Sequence, residues 1–190
     1  MYTKKDLVCE GVPSLREKSA EVSLPLSQED KNTLVEMLMY LVNSQDDKKA
    51  QELDLRPGVG LAAPQIGVNK KMFAIYADDL DGNRNLLLII NPKILGRSKE
   101  MVYLPGGEGC LSVNRDTEGV TPRSKAIKVD AYIYDISSDK TIHKIFNLKD
   151  YIAIVFQHEY DHLFGTLFVD KLMSVEEARI HGYKPLWDED

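Results

Sequence analysis

The segment Tyr151–Phe164, YIAIVFQHEYDHLF, places the strongest limit on how this chain can fold. Its first half is apolar nearly all round. As a helix it therefore belongs in an interior, not on a surface. Asn147 is placed to cap it, with Asp150 at the third position, and Gly165 follows as a C-terminal stop. A buried helix needs layers on every side, and the rest of the sequence supplies them. Lys71–Ala77 and Leu86–Ile90 read as strands, the second stopped by Asn91–Pro92. Ile127, Val129, Ala131 and Ile133 alternate with Lys128, Asp130, Tyr132 and Tyr134, which predicts a half-buried strand. Thr141–Phe146 returns beside it as a hairpin. Ser27, with Asp30 three residues on, opens another helix, along which Leu34, Met37, Leu38, Leu41 and Val42 recur at helical spacing. The polar run 43–51 reads as a surface excursion. One helix, several strands and then a buried helix predict an α+β fold. Antiparallel or mixed sheets pack around the central helix, and an N-terminal helix is added. A chain of 190 residues suits a single domain, 1–190, in which about 171–190 is a tail with no defined pattern.

The same central helix carries H-E-x-x-H. His158 and His162, four residues apart, face one way and can share a metal ion. Glu159 is angled to reach a water held by that ion without ligating the ion itself. The bland alternative is a pair of surface histidines, which the apolar YIAIVF before them opposes. Tyr151, Ile154 and Val155 share the face of His158. They form either an apolar wall for a substrate side chain or ordinary core, and periodicity does not separate the two.

Two histidines need a third ligand. Phe168 stands where one class of zinc peptidases carries its third His. Glu176 and Glu177 come too early for the class that uses a Glu about twenty residues downstream, and His143 and His181 read as surface or strand residues. Cys110, in GGEGCLSV, remains. Gly106, Gly107 and Gly109 let backbone approach closely, and LSV is expected to open a strand. Alone, Cys110 would pass for a small buried hydrophobe. With the two histidines it completes a Cys-His-His set that leaves a position open for water. Cys9 has no such setting, and both cysteines are expected as free thiols.

Other classes are excluded or weakened. The net charge of −6 opposes a broad nucleic-acid face. The start of the sequence has no apolar signal core, and Leu86–Ile90 is too short to span a membrane. Gly58–Gly67, GVGLAAPQIG, lacks the spacing of a phosphate loop. It offers backbone groups that could pair with an extended peptide, and Gln65, whose amide could donate to an oxyanion. A tight turn capped by Gln65 is the simpler reading of that segment alone. A metallopeptidase and a non-catalytic metal module are the rival functions.

Taken in order, GVGLAAPQ at 58–65, EGCLS at 108–112 and QHEYDH at 157–162 resemble the peptide deformylases, in particular the longer subclass of Gram-positive bacteria. The resemblance implies removal of the formyl group from the initiator methionine of new polypeptides. It implies Cys110, His158 and His162 as ligands of one divalent ion, natively Fe²⁺, with Zn²⁺, Ni²⁺ or Co²⁺ possible in a purified sample. Glu159 becomes general base and acid, and Gln65 and the Leu111 N–H stabilise the oxyanion. Val59 and Gly60 line the peptide, while Tyr151, Ile154 and Val155, with Val59, receive the methionine side chain. A monomeric cytoplasmic enzyme acting on nascent chains, in some relatives at the ribosome, is also implied. Here the tail is short and ends in the acidic WDED.

Overall fold

The computed structural model describes residues 1–188. Glu189 and Asp190, the acidic end of the tail, lie outside the described residues. Among the described residues there are four α-helices: α1 (Gln28–Ser44), α2 (Asp47–Glu52), α3 (Asp150–His162) and α4 (Val175–Ile180). The strands are β1 (Gly60–Ala62), β2 (Met72–Asp78), β3 (Arg84–Arg97), β4 (Met101–Tyr103), β5 (Arg123–Ser124), β6 (Ala126–Asp135), β7 (Lys140–Lys149) and β8 (Lys184–Pro185). Five of them form an antiparallel sheet in the order β1-β2-β3-β6-β7, and three form a smaller mixed sheet, β5-β4-β8. The α+β expectation holds.

The larger sheet lies between two helices, which explains its apolar strands. Along β2, Met72 and Ala74 join the α1 cluster with Leu34, Met37 and Leu41. Phe73, Ile75 and Ala77 join the α3 cluster with Ile152, Ala153, Val155 and Phe156. Side chains of a strand alternate between faces, so a strand covered on both reads as one apolar run. The Phe156 ring meets Phe73 edge-on, with centroids 5.0 Å apart. Burying side chains of this size is worth roughly 1.5–3 kcal/mol each.

Several boundaries differ from the sequence reading. Asn147 does not cap the central helix. It pairs with Lys128 inside β7, whose ladder with β6 runs on to Lys149, and α3 starts at Asp150. The helix ends at His162 instead of Phe164, and Gly165 takes a left-handed φ of +69° just beyond it. Asn91–Pro92 does not stop a strand. Asn91 adopts φ +48° at a bulge through which β3 continues to Arg97. Its side chain is held there by Val22, accepting from the N–H and donating to the carbonyl, each at 2.8 Å. The polar excursion contains α2, and its first residues, Asn43 and Ser44, are buried at the end of α1. Between residues 172 and 188 the expected tail contains α4, followed by β8, which runs parallel to β4. The Ser27 cap is as expected, accepting from the Asp30 N–H at 3.1 Å.

Candidate metal centre and substrate cleft

Helix α3 brings His158 and His162 to one face, and a turn after Gly109 carries Cys110 against them. No strand begins at Cys110: Leu111 and Ser112 lie in that turn, and Gly106 and Gly107 both have positive φ. One ligand atom from each of Cys110, His158 and His162 can be chosen so that all lie within 4.8 Å of one another, and all three residues are buried or nearly so. The Cys110 Sγ is 3.4 Å from the His162 Nε2. A soft sulfur with two imidazoles is a donor set for a divalent transition metal. Buried polar atoms without partners lie beside it, the Glu159 Oε2 and the His162 Nδ1. The cluster thus fits a metal ion on geometry and on chemistry.

The surroundings orient these ligands. His158 Nδ1 lies 2.7 Å from Glu108, which leaves its Nε2 for a metal. Glu108 accepts two bonds from the buried Arg123, at 2.8 and 2.9 Å, and Arg123 also pairs with Asp161 at 2.5 Å. Burial alone would raise the Glu108 carboxyl, but the Arg123 guanidinium outweighs it and holds the value down to about 2. Burial likewise opposes a charge on His158, yet contacts with Cys110 and Glu108 hold its pKa well above the ordinary value. His162, buried and beside a charged His158, is held well below it. Burial pushes Glu159 up to about 7, against the pull of His158. A carboxyl poised near neutrality can both accept and return a proton.

A cleft of about 330 Å³ opens onto this cluster, lined among others by Val59, Gly60, Gln65, Cys110, Leu111, Tyr151, Ile154, Val155, His158 and Glu159. Nearly all the residues singled out in the sequence therefore converge, and His162 sits behind them. Tyr151, Ile154 and Val155 line the cleft, and Val155 and Tyr151 also pack with Ile152, Ala153 and Phe156 in the core, so the two readings overlap at this wall. Strand β1 is the sheet edge facing the cleft, paired with β2 on its other side. Gln65 lines the cleft and is buried. Its Oε1 accepts from the Ala62 N–H at 2.8 Å, capping the turn Ala63–Ile66. Its Nε2 lies 3.4 Å from the Cys110 Sγ and 3.1 Å from the Ser112 Oγ. The Leu111 N–H donates to none of the described residues.

Sequence reasoning missed Glu108, Arg123 and Asp161, and also Arg56. The Arg56 guanidinium donates to the Leu111 carbonyl at 3.1 Å and to the Val113 carbonyl at 3.3 Å, holding the cysteine loop in place. Glu108 stood inside a quoted motif. The arginines carried no local signal, because their partners lie 15 to 58 residues away.

A buried Cys-His-His cluster with a neighbouring glutamate in one cleft is the site of a metal-dependent hydrolase. Residues 4–178 match the family described as Polypeptide deformylase, and the chain belongs to that family, whose members remove the N-formyl group from new polypeptides. Peptide deformylase 2 of Bacillus cereus is 49% identical over 172 residues, covering 90% of this chain and 91% of the relative. The peptide deformylase of Shouchella clausii is 47% identical over 177 residues, covering 93% and 94%. Both come from Gram-positive bacteria, the group whose longer subclass the sequence resembles. The crystal structure of the Thermotoga maritima peptide deformylase aligns with a TM-score of 0.64 at 30% identity, over 88% of this chain and 96% of that one. Neither rival reading has support from these relatives. Both cysteines are free. Among the described residues no helix is long and apolar enough to cross a membrane.

Proposed function

We propose that Cys110, His158 and His162 hold one divalent ion, natively Fe²⁺, and that the cleft receives an N-formylmethionyl chain end. When bound, the ion supplies a Lewis acid that makes water more acidic and polarises the formyl carbonyl. Glu159 accepts the proton of the water that attacks the formyl carbon. As the carbon–nitrogen bond breaks, it returns that proton to the nitrogen, and formate leaves from a free amino terminus. The Gln65 amide and the Leu111 N–H donate to the carbonyl oxygen as charge gathers on it. The backbone of Val59 and Gly60 pairs with the extended peptide. Tyr151, Ile154 and Val155, with Val59, surround the methionine side chain. The reading includes a single domain that works as a cytoplasmic monomer on nascent chains near the ribosome.

One observation carries this reading: the buried Glu159, next in sequence to His158, faces the same cleft as the open edge of β1. The test is formate release by the metal-loaded protein from formyl-Met-Ala, set beside an unformylated peptide of the same sequence. Release from the first with no cleavage of the second is expected. Cleavage of the unformylated peptide would overturn the reading in favour of a peptidase. Glu159→Ala is expected to keep its metal content, read by elemental analysis, and to lose at least a hundredfold in turnover.

A further inference from the structure

The C-terminal segment packs beside residues that line the cleft or adjoin its lining. Strand β8 pairs with Val102 and Tyr103, and the Leu186 N–H donates to the Tyr103 carbonyl at 2.8 Å. The next residue after Tyr103, Leu104, lines the cleft. One residue beyond Leu186, the Trp187 indole meets the Tyr151 ring edge-on, with centroids 6.3 Å apart. Tyr151 also lines the cleft, yet Trp187 remains 42% exposed. A large ring held against a cleft wall with much of its surface open is poised for an apolar partner. This segment lies beyond the residues that match the family, 4–178.

The distance to the metal cluster says which part of a substrate could reach it. Tyr151 precedes His158 by seven residues of α3, about 10 Å along the helix. An extended peptide advances about 3.3 Å per residue. With the methionine side chain against Tyr151, as under the proposed function, the second and third residues of the chain end stand about 7 and 10 Å from the formyl group, far enough out to reach Trp187 beyond that ring. We infer that Trp187 is a specificity-determining residue, whose indole packs against a bulky apolar or aromatic side chain at those positions. The inference rests on the orientation of the chain end given under the proposed function.

The experiment compares formyl-Met-Ala-Phe with formyl-Met-Ala-Ser on the metal-loaded wild type, Trp187→Ala and Trp187→Phe, with melting temperatures confirming that each variant is folded. The wild type is expected to favour the Phe peptide in kcat/KM. Trp187→Ala should lose that preference by on the order of three- to tenfold, mainly through KM, and Trp187→Phe should restore most of it. Trp187 is the chain's single tryptophan, so its fluorescence gives a reading independent of turnover. Titration with the product peptide Met-Ala-Phe should shift the emission, and Met-Ala-Ser should shift it less. Formate release from both substrates, with the Phe preference unchanged in Trp187→Ala or the emission unmoved at saturation, overturns this inference alone. No formate from either substrate with the wild type overturns the parent reading, and this one with it.

Discussion

A methyl group on Gly60 would stand 2.7 Å from the Glu159 Cδ and 2.8 Å from its Cγ. The glycine is needed for room, since the carboxylate lies directly against the strand edge. Gly60→Ala is therefore expected to keep the fold while pushing Glu159 out of place. A displacement of about an ångström costs on the order of a hundredfold in kcat/KM, measurable by formate release, with metal content unchanged. Cys110 makes a different prediction. Serine offers a neutral hydroxyl in place of a soft thiolate. Added Zn²⁺ should raise the melting temperature of metal-stripped wild type, because it binds the folded state, and Cys110→Ser should lose most of that rise. An equal rise in the variant would remove Cys110 from the ligand set.

At the scale of elements, α3 serves core and cleft at once. Phe156 is fully buried against Phe73 and stacks on Tyr160 at 6.3 Å, on the core side of the helix. Phe156→Ala should destabilise the fold by about 3–5 kcal/mol, read as a lower urea midpoint with an unchanged slope. The two faces of this helix were legible in the sequence because its period is local: His158 and His162 are one turn apart, and Tyr151, Ile154 and Val155 follow from the same spacing. The β6–β7 hairpin was legible for the same reason. Its lower end was not, because pairing with Lys128 outweighs the capping tendency of Asn147, and a cap preference cannot register a neighbouring strand. Asn91–Pro92 misled in the same way, since the bond that turns a stop into a bulge comes from Val22, 69 residues away. The Glu108–Arg123–Asp161 chain was equally hidden. Charged residues of the surface and of the interior look alike until their partners are known.

At the scale of the whole molecule, distant segments are fastened by polar ties. Arg16 donates to the Asp170 carboxylate, which also accepts from the Leu167 N–H at 2.8 Å, joining the N-terminal turn to the segment after α3. Partial burial would raise the Asp170 carboxyl, but these bonds outweigh it and hold it below its ordinary value. The folded state thus favours the charged form. The stabilisation is complete above the ordinary carboxylate range, near pH 4, and is lost as the pH falls through the lowered value. Asp170→Asn should lower stability by about 1 kcal/mol at pH 7, and its melting temperature should converge with that of the wild type in acid. A gap that persists at about pH 2 would refute this account.

Among the described residues the large sheet ends in two edge strands, each open on one side and very different in length. Strand β7 runs for ten residues at one edge and carries Lys140, Lys144 and Lys149, charges that keep another sheet from docking there. Strand β1, at the other edge, has only three residues and faces a cleft. Three residues are too few to seed a stack of strands. Both edges of the sheet are by these two means poor templates for aggregation.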